Sequence, residues 1–175
     1  MDIRLEQLEK KDFPVIRDWV DPQIFRIFKS PVDDQQLEKL LSKEKDGIYA
    51  EIGMRAADSK SNEIVGLIHS IVNVRDDFLH IQQLIVDPAR RGNGYGPAIL
   101  AMFLDYCFVD HSFHRAQLFT DENNKPAIAC YKKVGFKVDG FLRDIVKTNS
   151  GYIGTYIFSI LRDEWLAKRG NQSTD

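Results

Sequence analysis

Three glycines alternate in the run Arg90-Arg91-Gly92-Asn93-Gly94-Tyr95-Gly96-Pro97, directly after the apolar stretch Leu84-Ile85-Val86 and the break at Asp87-Pro88. Behind them Ile99, Leu100, Phe103, Leu104 and Cys107 recur at helical spacing, so the run is a strand-to-helix turn. Glycine lets a backbone curl tightly and approach a ligand without Cβ interference. The helix start adds unpaired N–H groups and the positive end of the dipole. That combination suits a phosphate or pyrophosphate, with Arg90 and Arg91 supplying cationic charge at the rim. Pro97 has no N–H, which confines the donors to the amides before it and that of Ala98. A mononucleotide loop requires Gly-Lys followed by Ser or Thr, whereas the chain has Gly96-Pro97-Ala98. A dinucleotide fingerprint requires glycine at its sixth position, and counting from Gly92 or Gly94 reaches Pro97 or Ile99. What remains is Arg91-x-x-Gly94-x-Gly96, an anion cradle of another kind or a glycine turn without a ligand.

A second cluster of chemically useful residues follows, with Asn124, Ala127, Tyr131, Gly135 and Phe136 in one helical stretch. Asn124 is a natural N-cap and can also hydrogen-bond a ligand passing the helix start. Ala127 allows close approach, and Tyr131 lies two turns on, facing the same side as Asn124. Gly135 stops the helix and Phe136 opens the next strand. Taken alone, Tyr131 is equally readable as a core aromatic.

The two runs together resemble the GNAT N-acetyltransferase superfamily. Arg91-x-x-Gly94-x-Gly96 is similar to its coenzyme A pyrophosphate loop, and Asn124 to Phe136 is similar to its Asn-x-x-Ala-x-x-x-Tyr-x-x-x-Gly-Phe motif. Gly140-Phe141-Leu142-Arg143 and the segment Tyr156 to Trp165 resemble the branch of ribosomal-protein N-terminal acetyltransferases. Gly154 departs from that branch, which often has an acidic residue there. The resemblance implies direct transfer of acetyl from acetyl-CoA to a primary amine, of a small molecule or a protein N-terminus. It implies that Leu84, Ile85 and Val86 pair with the pantetheine arm, with the Ile85 N–H polarising the thioester carbonyl. Arg91, Gly92, Asn93, Gly94, Tyr95 and Gly96 would hold the pyrophosphate, and Asn124 would contact the pantetheine. Tyr131 would protonate the departing thiolate. The amine must also lose a proton, and where many relatives have a glutamate this strand has Gln82 and Gln83. His80, His69, Asp76, Asp77 and water alone are the candidate proton acceptors. Cys130 raises a covalent route, against which stands its direction roughly 100° from that of Tyr131 on a helix. An acetyl-CoA sensor without turnover is the alternative.

The elements that must position these groups follow from periodicity. Ile3 to Gln7, Ile48 to Ala56, Ile64 to Val74 and Phe78 to Val86 read as strands, the last three joined by hairpin turns at 58–62 and 75–77. Lys11 to Val20, with Asp12 as its N-cap, and a segment from Pro31 carrying Leu37, Leu40 and Leu41 read as helices. Then come helix Gly94–Val109, strand Ala116–Thr120, helix Asn124–Val134, strands Phe136–Phe141 and Tyr152–Leu161, and helix Arg162–Lys168. An antiparallel first half followed by β-α-β-α-β predicts an α/β fold with a mixed sheet and helices on both faces. The resemblance makes this the GNAT acyl-CoA N-acyltransferase fold, with Phe78–Val86 and Ala116–Thr120 splayed apart. The acceptor would lie near Trp19, Phe25, Phe28 and Tyr152, with the acidic run at Asp33-Asp34 suggestive of a polycation.

Length and composition agree with one domain, residues 1–169, and a polar frayed tail at 170–175. Of 175 residues 43% are hydrophobic and the net charge is -2, which argues against a nucleic-acid partner. The charged start and the lack of a long apolar run argue against a signal or membrane segment and for a cytoplasmic protein. Two cysteines without a CxxC provide neither a disulfide framework nor a metal cluster, so no metal is expected. A monomer or a homodimer is compatible with the chain.

Overall fold

The β-branched and aromatic runs of the first half produce four antiparallel strands, β1 (Ile3–Gln7), β2 (Tyr49–Asp58), β3 (Ile64–Asn73) and β4 (Phe78–Val86). The structure, a computed structural model, describes residues 1–19, 38 and 48–172. The expected helix from Pro31, together with Phe25, Phe28 and Asp33-Asp34, lies outside these residues. Between β1 and β2 a 3₁₀ turn, Lys10–Asp12, leads into α1 (Phe13–Trp19). Asp12 is not an N-cap of α1. It ends that turn, accepts from the Glu9 N–H at 2.9 Å, and pairs with the buried Arg55 at 3.1 Å.

The second half supplies α2 (Tyr95–Asp105), β5 (Arg115–Asp121), α3 (Lys125–Val134), β6 (Lys137–Thr148), β7 (Gly151–Leu161) and α4 (Arg162–Gln172). All seven strands form one sheet in the order β1-β2-β3-β4-β5-β7-β6, antiparallel except for β4 and β5. Three boundaries depart from expectation. The helix expected to reach Val109 widens at Tyr106–Asp110 into a π turn, which buries the adjacent Cys107 and Phe108 together. Strand β6 continues to Thr148 because β7 pairs with it along a long hairpin, although most of β6 is exposed. Helix α4 continues to Gln172, where a frayed tail was expected from residue 170.

Helices cover both faces of the sheet. On one face Leu100 and Phe103 of α2, Val134 of α3 and Trp165 of α4 pack against Leu79, Ile81, Leu118 and Phe158. On the other, Phe13 and Ile16 of α1 pack with Leu8 against Leu67 and Ile85. The Trp165 indole N–H donates to Asp105 at 2.8 Å and ties α4 to α2.

Two irregularities in β4 shape everything near the glycine turn. Its pairing with β5 covers only Phe78↔Arg115 to Ile81↔Leu118 and then stops. Opposite β3 the register skips Gln82, since His69 faces Gln83 and Ser70 faces Ile81. This bulge reverses the facing of the strand. Leu79 and Ile81 before it, and Leu84 and Val86 after it, all meet the α2 side, while Ile85 meets the α1 side. The bulged strand bends away from β5 and leaves a V-shaped opening, the splay expected between these strands.

Helix α2 approaches the sheet here over Gly66. A Cβ on that residue would stand 2.6 Å from Ile99 Cδ1 and 2.7 Å from the Ile85 carbonyl oxygen. Ile99 has rotamers to escape into, whereas the carbonyl is fixed in the ladder. Gly66→Ala should therefore cost about 1–3 kcal/mol through overpacking, read as a lower urea midpoint with an unchanged m-value. An unchanged midpoint would mean that the contact relaxes freely.

Candidate active site

The phase of the β3–β4 ladder decides which backbone groups meet the opening. At one end of β3 the Asp87 N–H donates to the Val65 carbonyl at 3.0 Å. At the other the Val74 N–H donates to Ile48 at 2.9 Å. Antiparallel residues alternate in direction, so odd-numbered residues of β3 turn their backbone groups to β4 and even-numbered ones to β2. Ile85, opposite Leu67, therefore spends its N–H and C=O on β3. Leu84 and Val86 turn theirs into the opening, where β5 no longer pairs. The Ile85 N–H expected to meet the thioester carbonyl is instead taken up by β3, and the Leu84 and Val86 amides are the ones that face the opening.

Beside this edge lies a cleft of about 500 Å³, walled by the end of β4, the glycine loop, the start of α2 and one face of α3. Leu84, Ile85, Val86, Arg91, Gly92, Gly94, Tyr95, Gly96, Asn124 and Tyr131 line it, as the sequence suggested. Asn93 is not among its lining residues. Its carboxamide N–H groups instead donate to the Arg90 and Arg91 carbonyls, both at 3.3 Å, and staple the loop. Gly92 and Gly94 adopt φ of 79° and 85°, which is why glycine stands at both. Ala98 donates to Gly94 in the first helical bond at 3.3 Å, so its N–H does not face a ligand. The helix-start amides without an intrahelical partner are those of Tyr95 and Gly96.

The two arginines separate in role. Arg90 is held by Asp87 and, at 2.7 Å, by Glu63. Arg91 is exposed and donates through Nε to the Val86 carbonyl at 3.2 Å. On α3, Asn124 caps the helix by accepting from the Ala127 N–H at 3.3 Å. The N–H groups of Gly135 and Phe136 both return to the Tyr131 carbonyl and end it. The Tyr131 ring is set between Phe136 and Phe158, with centroids 6.1 and 5.9 Å away. Burial, and secondarily Cys130, pushes its hydroxyl well above the ordinary tyrosine range, so it stays protonated and has a proton to donate.

Cys130, Pro126, Ala129 and Lys133 also line the cleft. Their i, i+3, i+4, i+7 spacing was legible in the sequence, where Cys130 alone of the four was considered. Cys130 and Tyr131 both reach the cleft, at different places. The Cys130 sulfur stands 3.4 Å from where a Cβ on Gly96 would be.

The proton-acceptor candidates are dispersed. Asp76 sits in the β3–β4 hairpin under Arg75 and Asn73, and Asp77 is in the same turn at φ 52°. His80 packs edge-on against Phe119, centroids 4.7 Å apart, and burial lowers its pKa. His69 is buried and bonds Glu51 at 2.9 Å, and burial holds its imidazole below the usual value against the opposing pull of Glu51. Among the described residues no group of three or more His, Cys, Asp or Glu is arranged to hold a metal ion. No helix among them is long and apolar enough to cross a membrane.

The model of the acetyltransferase (GNAT) family matches residues 5–136. A prophage-derived N-acetyltransferase of Bacillus subtilis, YokL, is 27% identical over 65% of the chain and 64% of its own length. The spermidine N(1)-acetyltransferase of Escherichia coli K12 is 29% identical over 61% of the chain and 54% of its own length. The chain thus spans less than two thirds of the length of these curated relatives. Among solved structures, the spermidine N-acetyltransferase of Vibrio cholerae in complex with CoA and spermine superposes with a TM-score of 0.80 at 25% identity. That match covers 94% of this chain and 98% of the other. These relatives point to spermidine acetyltransferases and do not support the ribosomal-protein branch. Phe158, Ile160 and Trp165, within the segment that suggested that branch, are core residues, so their pattern reports the fold rather than the acceptor.

The cysteines make the cleft testable. Burial pushes the Cys130 thiol up to about 11 and holds the fully buried Cys107 higher still. Alkylation of Cys130 at pH 8 should run on the order of a hundredfold slower than for an ordinary thiol and accelerate toward pH 11. Cys107 should remain unmodified until unfolding. Mass-spectrometric labelling rates against pH check both, and fast labelling at pH 8 would contradict the enclosed position.

Proposed function

The chain belongs to the acetyltransferase (GNAT) family, and on that premise we propose that it transfers acetyl from acetyl-CoA directly to a primary amine, a small polyamine-like polycation. The carrying observation is the pairing of a free β4 edge, Leu84 and Val86, with a cleft that ends at a glycine-rich helix start. An extended amide-bearing arm adds to such an edge as a further strand. The Leu84 N–H then meets the thioester carbonyl and stabilises the oxyanion that forms on attack. The Tyr95 and Gly96 amides, the α2 dipole and Arg91 receive the pyrophosphate. Asn124 contacts the pantetheine as it passes α3. The protonated Tyr131 hydroxyl gives its proton to the departing thiolate.

With the donor on the α2–α3 side of the opening, the acceptor enters from the α1 side. Glu51 on that face of β2 and Asp121 at the end of β5 put negative charge on the acceptor side, which favours a cation. The names of the relatives support the same class, since two of those compared act on spermidine. A protein N-terminus offers a single positive charge and gains less from these carboxylates.

Acetyl-CoA at a hundredfold excess over its Kd should stabilise the protein by about 2.7 kcal/mol, read as a raised Tm. Spermidine or spermine should drive CoA release faster than a monoamine or a peptide N-terminus. Tyr131→Phe should retain the Tm shift and lose kcat by roughly a hundredfold or more. No Tm shift with acetyl-CoA would sink the whole reading, and a shift without turnover on any amine would favour a sensor.

A further inference from the structure

On the acetyl-transfer reading above, we propose that Glu51, His69 and Gln83 form a proton relay on the acceptor side, in which His69 Nδ1 takes the proton an incoming ammonium must lose. The three residues share one face of the sheet. His69 stands directly opposite Gly53 on β2 and Gln83 on β4, and Glu51 is the next residue on that face of β2. Glu51 Oε2 lies 2.9 Å from His69 Nε2. A carboxylate can only accept, so Nε2 carries the imidazole proton and Nδ1 is a bare acceptor.

His69 and Gln83 are each only 4% exposed, yet His69 Nδ1, Gln83 Oε1 and Gln83 Nε2 have no hydrogen-bond partner. Orphaned buried polar atoms are costly singly, and three on one cross-strand pair call for a hydrogen-bonding guest. Two acceptors beside one amide donor suit a guest rich in N–H or O–H: an ammonium, or a water that relays its proton. Gln83 immediately precedes Leu84, the first residue past the bulge whose backbone faces the opening. The row therefore stands at the inner end of the opening, on the face opposite α2 and α3.

An ammonium N–H bond breaks and its proton passes to His69 Nδ1, directly or through one water on Gln83, giving an imidazolium paired with Glu51. The freed lone pair attacks the acetyl carbon and the C–S bond breaks. The thiolate takes the Tyr131 proton, the second proton shed by nitrogen restores the Tyr131 hydroxyl, and the His69 proton leaves to solvent. Other charged or titratable groups on this face, among the described residues, are Glu6 on β1, Tyr49 and Arg55 on β2, His80 on β4, and Arg115 and Asp121 on β5. Arg55 is engaged by Glu6 and Asp12, and His80 by Phe119. From α1 the apolar Phe13, Ile16 and Trp19 pack toward the sheet, and the charged residues of that helix are Arg17 and Asp18.

The test measures kcat against pH from 6.5 to 10 with an aliphatic amine, for wild type, His69→Gln and Glu51→Gln. For His69→Gln, kcat should fall on the order of a hundredfold at pH 7. The deficit should shrink about tenfold per pH unit toward the amine's own pKa, because a neutral amine needs no base. The Kd for acetyl-CoA should stay within about twofold. Glu51→Gln, at a more exposed position, should show a smaller deficit of the same pH dependence. An active wild type whose variants lose rate equally at every pH, or lose under threefold at pH 7, overturns the relay alone. The same pH-dependent loss in His80→Gln instead would also overturn it. A wild type that binds acetyl-CoA and acetylates no amine overturns the transfer reading and the relay together.

Discussion

The parallel pairing of β4 with β5 ends at Ile81↔Leu118, and the rest of the molecule is organised around that interruption. A parallel ladder carried to the end of both strands would seal the sheet between α2 and α1. The extra residue at Gln82 prevents it, bending β4 and turning its later backbone groups toward a gap. The Ser70 hydroxyl donates to the His80 carbonyl at 3.1 Å and takes up one acceptor that the broken register leaves. The core accommodates the bend by splitting: Leu79, Ile81, Leu84 and Val86 face α2, and Ile85 faces α1.

An open sheet edge inside a protein is normally a liability, since unpaired N–H and C=O groups away from water are costly. Here it adjoins a helix start with unpaired amides at Tyr95 and Gly96 and the arginine at Arg91. The buried pair His69 and Gln83 adds three further unsatisfied atoms on the opposite face. Unmet hydrogen-bonding capacity is thus concentrated on the two sides of one opening. A site of this kind is unfavourable for the empty fold and favourable for a ligand that completes it.

Long-range geometry separated what was legible from what was not. Strands β2 to β4 were readable because their apolar runs are bounded by turns at 58–62 and 75–77, and α3 because Asn124 and Gly135 punctuate it locally. The end of α2 was not, because the π turn at Tyr106–Asp110 is held from outside, through the Arg162 bond to the Phe108 carbonyl at 2.8 Å. Nor was the extent of β6, a mostly exposed strand that exists through its pairing with β7. Asp12 looked like a cap because the local pattern allows it, and its carboxylate went to Arg55, a partner far along the chain.

By itself the sequence determined the glycine turn, the helix that follows it and the Asn124–Tyr131 pair, because each depends on residues within a few positions of one another. It thereby marked the turn after β4 as a place where backbone amides and an arginine could meet an anion. The tertiary structure alone decided that Leu84 and Val86, rather than Ile85, present their amides to the opening. It also decided that Arg90 is occupied while Arg91 remains available, and that His69 meets Gln83 across two strands. The reason is common to all three. Strand phase, a one-residue bulge and cross-strand register arise from pairing between segments distant in the chain, and no local pattern records them.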